Sequence, residues 1–255
     1  MKIFVTGTAS FIGSELLRLC RLEGIEVHGV DLVKTDQLNC SVADIRSHEI
    51  ADYIPEGVDA VIHLAALSRD PDCMNQAIKC FDANVMGTLN LIEAAKAKQS
   101  KQFIFASSEW VYDQFEEGVY KTEDDPINIA YHTSEYALSK LVSEANLRQK
   151  CAHGFCPVTI LRFGIIYGPR KENWSAVESI LNSVATQDTV SVGSLKTGRR
   201  FIHVSDIASA ILASVGLKGL EIMNIQGSRM ISLGDIIHVA KEILGKNPKI
   251  VEKTP

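Results

Sequence analysis

The chain has 255 residues, 46% of them hydrophobic and 22% charged, which suffices to bury the core of one large domain or two interlocked ones. A formal net charge of −5 argues against a general role on nucleic acid or a membrane surface, and no apolar run reaches the roughly 18 residues of a membrane span. Six cysteines, at 20, 40, 73, 80, 151 and 156, form neither a C-x-x-C pair nor a cluster with histidine, so reduced, mostly structural thiols of a cytoplasmic protein are expected, with no metal.

Lys2-Ile-Phe-Val opens the chain, but the apolar run ends at Thr6-Gly7 and Glu15 and Arg18 follow too soon for a signal peptide. Ile3, Phe4 and Val5 read instead as a strand buried on both faces, as in a parallel sheet. Gly7 permits a tight turn, and Phe11, Ile12, Leu16, Leu17, Leu19 and Cys20 recur at helical spacing, so a helix opens near Ser10. Strand, small-residue turn and helix N-terminus together present free N–H groups and the positive end of a dipole to a phosphate, and Gly13 lets the helix pack close on the sheet. Ser10 stands where the Gly-x-x-Gly-x-x-Gly fingerprint has its central glycine. Any glycine-rich strand-to-helix turn looks like this, and position decides the reading. Gly24-Ile-Glu-Val-His-Gly-Val-Asp31 is a second buried strand ending in a carboxylate. That is where an acid binds the ribose hydroxyls of NAD and repels the extra phosphate of NADP; the alternative for Asp31 is a solvated loop acid.

Val42-Ala-Asp44-Ile45-Arg46 follows a third strand, as an adenine contact or as a plain loop. Val58 to Ala66 is a fourth buried strand ending in small residues, and its His63 reads as a strand-end histidine held by hydrogen bonds. Met74 to Gln99 is expected as one helix with Phe81, Val85, Leu89, Ile92 and Ala95 on one face; Asn84 and Gly87-Thr88 interrupt it beside the sheet. Phe103 to Glu109 is a strand whose C-terminal end carries Ser107, Ser108 and Glu109, at the edge of a parallel sheet where ligands bind. An acidic loop spans 116–128, and a helix over 134–149 places Tyr136 and Lys140 on one face. Val158 to Gly164 is the sixth strand. Strands alternating with helices in this way predict an α/β fold, a doubly wound parallel sheet.

Beyond Gly164 the pattern changes: a turn over 165–170, a helix over 174–184, a helix over 207–217, a seventh strand over 220–225 and a helix over 233–244. The expected division is a dinucleotide-binding domain over 1–163, to which 204–226 crosses back, and a small, C-terminally short substrate lobe from 164–203 and 227–255.

Tyr-x-x-x-Lys alone is a cheap pattern, whose plain reading is an exposed helix pair. Joined to a dinucleotide turn and to Ser108 at a strand end, it points to chemistry. A phenol ionises near ~10, and lowering that by ~3 units requires about 4 kcal/mol, within reach of two close cations in a partly dry cleft. Lys140 and an oxidised nicotinamide would be those cations, and Ser108 would share the same substrate oxygen.

With these residues in place the chain resembles the extended short-chain dehydrogenase/reductase family, the NAD-dependent sugar-nucleotide epimerases and dehydratases. The resemblance runs through Thr6-Gly7…Gly13, Asp31, Asp44-Ile45, His63-Leu-Ala-Ala66, Asn84…Gly87-Thr88-Leu-Asn90, Ala106-Ser-Ser108…Val111-Tyr112, Tyr136-x-x-x-Lys140, Leu161-Arg162…Tyr167-Gly168-Pro169 and Arg199…Ile202-His203-Val204…Asp206. It implies a Rossmann fold, Tyr136 as base, Lys140 as its pKa-lowering partner and ribose contact, and Ser108 as the hydroxyl holding the reacting oxygen. It further implies NAD contacts from Gly7, Ser10, Phe11, Ile12, Gly13, Asp31, Asp44, Ile45, Leu64, Ala65, Ala66, Asn84, Tyr136 and Lys140. Substrate contacts would come from Ser68, Glu109, Trp110 and Arg199, the last gripping the diphosphate of a nucleotide sugar, whereas Arg200 reads as a surface cation.

The departures are Ser10, Asp113 where a glycine usually follows Val-Tyr, Ile165 where many members carry asparagine, and the early arrival at Pro255, which leaves the substrate lobe partial. The leading expectation is a C4 epimerase: Tyr136 takes the hydroxyl proton, hydride passes to NAD, and it returns to the other face of the keto sugar. A 4,6-dehydratase ranks second, because Glu109 matches its acid but Trp110 replaces its carboxylate base. A reductase or dehydrogenase releasing its cofactor is a further alternative, as is a non-catalytic nucleotide-binding protein on the same fold. A homodimer is expected through helices near 81–98 and 134–149, because Phe81, Val85 and Leu89 cannot all face the sheet if Asn84 and Thr88 do, and the resemblance implies a four-helix interface there.

Overall fold

The computed structural model describes residues 1–112, 119–172 and 174–253; Asp113, the start of the acidic loop and Pro255 lie outside the described residues. The chain begins with β1 (Lys2–Thr6), whose last four residues are all buried, and α1 (Phe11–Leu22), which buries Gly13, Leu16, Leu17 and Cys20 at helical spacing. Ser10 starts α1 by accepting a hydrogen bond from the Gly13 amide at 3.0 Å. β2 (Glu26–Asp31), β3 (Cys40–Val42) and β4 (Ala60–His63) follow.

The single helix expected over Met74–Gln99 is instead α2 (Asp70–Cys73), α3 (Ala77–Phe81), a π-helical turn over Asp82–Met86, and α4 (Gly87–Ala97). Two local causes account for the difference. Asn75 adopts a left-handed φ of 59° between α2 and α3, and the Thr88 hydroxyl donates to the Asn84 carbonyl at 2.6 Å inside the turn that widens. Gly87 follows that turn, where a Cβ would lie 2.7 Å from Ile45 Cδ1.

β5 (Phe103–Ser108) is wholly buried, and α5 (Glu135–Ala152) is capped by Ser134, whose hydroxyl accepts from the Ala137 amide at 3.1 Å. The chain continues through β6 (Val158–Phe163), β7 (Ile166–Tyr167), α6 (Ala176–Thr186), β8 (Thr189–Val192), β9 (Gly198–Arg199) and β10 (Ile202–His203). It ends with α7 (Val204–Ala213), β11 (Leu220–Ile225), β12 (Ile231–Ser232), α8 (Leu233–Leu244) and β13 (Lys249–Glu252).

Seven strands form one parallel sheet in the order β11-β6-β5-β4-β1-β2-β3. This is a doubly wound Rossmann sheet. Its order reverses between β1 and β4, so the crevice beyond their C-terminal ends is the ligand position that topology favours. The return of β11 to the sheet is pinned by Gln102, which is buried and donates to Thr159 Oγ1 at 2.9 Å and to the Ser214 carbonyl at 2.8 Å while accepting from the Gly216 amide at 2.7 Å.

Two compact units result: Met1–Phe163 with Ala208–Ile225, and Gly164–Ile207 with Gln226–Pro255. The core of the first joins Phe4, Val30, Val61, Leu91, Ile92, Phe103, Phe105 and Ile160. In the second, α6 and α8 bury Ile180, Val184, Ile237 and Ala240 with Val190 and Val192 of the parallel β8·β13 pair. The segment read as a turn over 165–170 contains β7, which pairs with β10. β8 and β13 are not legible in the sequence because each is only four residues long with alternating exposure. The premise for a dimer also changes: Val85 is buried and Leu89 packs on the main core, while Met74, Ile78 and Met86 are large apolar side chains left exposed along 74–99.

A Cβ on Gly13 would stand 2.1 Å from the Gly7 carbonyl oxygen, a rigid backbone atom that cannot step aside. Gly13→Ala is therefore expected to destabilise the chain by about 3 kcal/mol, the upper end of overpacking costs, measured as a lowered urea midpoint with an unchanged m-value.

Candidate active site

The β1–α1 turn and the end of β4 are built against each other. Gly7 has φ +78°, and a Cβ there would sit 2.8 Å from the Ala65 amide, so the turn lies directly on the backbone of Leu64 and Ala65. Thr6 Oγ1 accepts from that Ala65 amide at 3.2 Å. Asn84 holds the backbone of Leu67 on both sides, accepting from its amide at 2.8 Å and donating to its carbonyl at 3.0 Å. Ala66 is half-buried beside them, and Ser68 is exposed on the following turn.

The donor set here fits a dinucleotide. The first turn of α1 carries no acid, so the positive end of its dipole is not neutralised from within, and Phe11 and Ile12 begin the helix there. Asp31 lies alongside. Its Oδ2 accepts from the Ala9 amide at 2.8 Å and its Oδ1 from the Val33 amide at 3.0 Å, which fixes the carboxylate against the phosphate turn and leaves lone pairs for ribose hydroxyls. Asp44 is gripped by Arg46 at 2.6 Å, and this hydrogen-bonded guanidinium holds its carboxyl below the usual range. Ile45 is buried in the main core, and its carbonyl accepts from Asn90 at 2.7 Å, so both side chain and carbonyl serve the fold.

At the end of β5, α5 brings Tyr136 and Lys140 to Ser108. All three are buried. Lys140 Nζ donates to the Ala106 carbonyl at 2.8 Å, lies 4.8 Å from the centre of the Phe105 ring and 6.0 Å from that of Tyr136. Desolvation pushes its ammonium down to about 8. The Tyr136 phenol is pushed up to about 12 by burial, against which its hydrogen bond with Ser108 acts. The expected lowering of the phenol by Lys140 is thus not realised by the protein alone: the ammonium is engaged by a backbone carbonyl. Ser108 Oγ accepts from the Trp110 amide at 3.3 Å, which fixes the hydroxyl at the end of β5. Glu109 is half-buried, while Trp110 is exposed.

His63 is structural, in keeping with its strand-end position. It is buried, with Nδ1 2.8 Å from Thr6 Oγ1 and Nε2 2.9 Å from Thr88 Oγ1, and desolvation, aided by the Lys140 charge, pushes it down to about 3. Sequence reading misses Cys73 and Cys80, which pack with Leu67 around Tyr136, and Ser139, which accepts from Asn84 Nδ2 at 3.0 Å. Nothing in their spacing marks them, since they meet from three separate elements. Arg199 lies on β9 in the second unit and donates to the Gly198 carbonyl at 2.8 Å. Arg200 is tied to the Ser228 carbonyl at 2.8 Å. Among the described residues no group of three or more His, Cys, Asp and Glu side chains is placed to hold a metal, and no helix is long and apolar enough to cross a membrane.

A doubly wound sheet with an anion turn, an acid closing β2 and a Ser-Tyr-Lys group at the sheet edge defines a dinucleotide-dependent oxidoreductase-type site. Residues 3–225 match the model of the NAD-dependent epimerase/dehydratase family. The chain belongs to that family, which is described as NAD-dependent. It is 27% identical to UDP-glucuronate 4-epimerase of Thermodesulfobacterium geofontis, over 96% of this chain and 81% of that protein. It is 28% identical to GDP-6-deoxy-D-mannose reductase of Pseudomonas aeruginosa, over 83% of this chain and 69% of that one. Among solved structures, MoeE5 in complex with UDP-glucose and NAD superposes with a TM-score of 0.87 at 27% identity, covering 100% of this chain and 85% of that one. UDP-glucose 4-epimerase of Thermus thermophilus with NAD gives 0.84 at 25% identity, covering 100% and 87%.

Asp31→Ala removes both the ribose acceptor and the brace on Ala9. It is expected to weaken NAD binding by roughly ten- to a hundredfold and to narrow the preference over NADP, read by calorimetry with each cofactor.

Proposed function

We propose that the chain is a sugar-nucleotide epimerase that inverts C4 of a nucleoside-diphosphate sugar through a 4-keto intermediate. The observation that carries this reading is the meeting of Ser108, Tyr136 and Lys140 at the end of β5, in a chain that belongs to an NAD-dependent epimerase/dehydratase family. Tyr136 takes the proton of the C4 hydroxyl and returns it after the face change. Ser108, held by the Trp110 amide, donates its hydroxyl proton to the same substrate oxygen. Lys140 is anchored on Ala106 and supplies positive charge beside the phenol. NAD, when bound, supplies a reversible two-electron acceptor and, oxidised, a further positive charge. Burial pushes the Tyr136 phenol up to about 12 in the chain alone, so its ionisation depends on the added positive charge of the bound, oxidised cofactor. The cofactor contacts are Gly7, Ser10 to Gly13, Asp31 and the 64–66 backbone. Asp44 and Asn84 shape that pocket, and Ser68, Glu109 and Trp110 contact the nucleotide sugar.

Dehydratase activity is the second reading, since a dTDP-glucose 4,6-dehydratase of Streptomyces niveus is 29% identical over 89% of this chain and 73% of its own length. Against it stands Trp110, an indole where that chemistry needs a carboxylate base. A panel of UDP-, GDP- and dTDP-sugars followed by mass spectrometry and NMR separates the readings. Epimerisation leaves the mass unchanged, dehydration loses water, and a reductase consumes reduced cofactor one for one. No turnover with any sugar would overturn the proposal in favour of a non-catalytic protein.

A cytoplasmic homodimer is part of the proposal, with free cysteines throughout and Met86 exposed to 56% on the helical stretch that would meet its copy beside α5. Light scattering is expected to give twice the chain mass, and a monomer would contradict it.

Tyr136→Phe keeps the ring and removes the proton acceptor, so turnover is expected to fall about 10²–10⁴-fold with folding and NAD binding retained. Lys140→Ala is expected to lower turnover and weaken NAD binding together. It should regain part of its rate as pH rises towards the phenol's range, a recovery that Tyr136→Phe cannot show.

A further inference from the structure

Three side chains of α5, spaced one turn apart, each hold a successive part of the end of β5. Lys140 donates to the Ala106 carbonyl at 2.8 Å, Glu144 Oε1 accepts from the Ser107 hydroxyl at 2.5 Å, and Tyr136 lies close enough to Ser108 for that hydroxyl to act on its phenol. The member of this set that touches no reactant is Glu144. Its side chain and that of Arg162 are each only 1% exposed, and they meet through two bonds: Arg162 Nη2 to Oε2 at 2.7 Å and Nε to Oε1 at 3.1 Å. Arg162 Nη1 continues to the Tyr112 hydroxyl at 2.8 Å, which lies 2.8 Å from Asn224 Oδ1 of β11. The short helical turn Glu109–Tyr112 that follows Ser108 is thereby tied at its far end to the same ion pair.

We infer that Glu144 is a positioning residue for the catalytic pair: fixed by Arg162 and Ser107, it sets the end of β5 that presents Ser108 and adds, one helical turn from Lys140, a negative charge that favours the ammonium form. The inference rests on the reading that Lys140 and Ser108 serve the chemistry. An isolated buried carboxylate would be far too costly to keep, and the bidentate guanidinium is what makes it tenable. The surroundings of Lys140 make the charge of Glu144 consequential. On α5 itself the neighbours are Tyr136 and Glu144; from α2 and α3 come the thiols of Cys73 and Cys80. From β4 comes His63, pushed down to about 3 and so neutral, while β5 offers the Ala106 carbonyl and the Phe105 ring. Arg162 of β6 stands behind Glu144. Glu144 is the single carboxylate among these groups. Desolvation pushes Lys140 down to about 8; the Cys80 and Cys73 sulfurs oppose it most, and the Glu144 carboxylate, one helical turn from Lys140, acts in the same direction.

The sign follows directly. Removing the negative charge favours the neutral amine, so Lys140 must lose its proton at lower pH. The test titrates the lysine side chains of the cofactor-free protein by NMR with ¹³C-labelled lysine, Lys140 being assigned from a Lys140→Arg control. In Glu144→Gln, which keeps the length and an acceptor for Ser107, Lys140 is expected to titrate about one pH unit lower than in the natural chain. The alkaline limb of kcat should move down with it. Because Glu144→Gln leaves Arg162 buried without a counter-charge, a Glu144→Leu/Arg162→Met variant accompanies it; it is expected to regain thermal stability while Lys140 still titrates below its natural value. Lost stability with an unmoved Lys140 titration and an unmoved kcat limb, in either variant, would overturn the inference by reducing the pair to scaffold. The lysine titration needs no substrate, so failure of the sugar panel would sink the proposed function and leave this result standing.

Discussion

A lysine ammonium held almost out of water is the constraint around which the first unit is arranged. Lys140 is 4% exposed, and a charge so placed is tolerated only where fixed dipoles and counter-charges surround it. The Ala106 carbonyl, the Phe105 ring face and the Glu144–Arg162 pair are those surroundings, and all depend on α5 lying along the end of β5. The same placement buries Tyr136 and brings it to Ser108. The helix start is set by Ser134, which caps α5 through the Ala137 amide and donates to Asp70 Oδ1 of α2 at 2.5 Å. Moving the helix by one residue would therefore cost a cap, a buried ion pair and the catalytic contact together.

The cofactor side is organised by backbone proximity rather than by charge. Gly7 and Gly13 let the first turn, the end of β4 and α1 approach closer than any side chain would permit. Buried hydroxyls and the neutral ring of His63 link Thr6 to Thr88, and the Thr88 hydroxyl donates to the Asn84 carbonyl, so strands β1 and β4 are locked to the π-helical turn that holds Leu67. In that arrangement the histidine acts as a connector, and its burial keeps it from titrating near neutrality.

The sheet is legible in the sequence because its strands are buried on both faces and read as unbroken apolar runs: Ile3 to Val5, Val61 and Ile62, Phe103 to Phe105. Ser10 as a cap, Asp31 at the end of β2 and Tyr136 with Lys140 on one helix face are local patterns, visible within a few residues. What sequence cannot show is long-range or depends on small backbone shifts. The π-turn at Asp82–Met86 carries a local Thr88–Asn84 bond, but the groups that hold Asn84 and Thr88 in place, Leu67 and His63, lie far along the chain. Glu144 looks like an ordinary helix acid until Arg162, on a strand 18 residues away, is placed against it. The phenol's ionisation escapes the sequence for the same reason: the spacing of Tyr136 and Lys140 is plain, but the carbonyl that engages the ammonium is not.

The central claim is that C4 of the sugar is oxidised and then reduced on its other face without the reducing equivalents leaving the site. It is tested most directly with a nucleotide sugar carrying deuterium at C4, incubated with the protein and NAD and analysed by NMR. The account predicts the C4 epimer with deuterium still at C4 and no solvent hydrogen introduced at C5 or C6. Loss of the C4 label, or solvent exchange at C5 accompanied by loss of water, would contradict it.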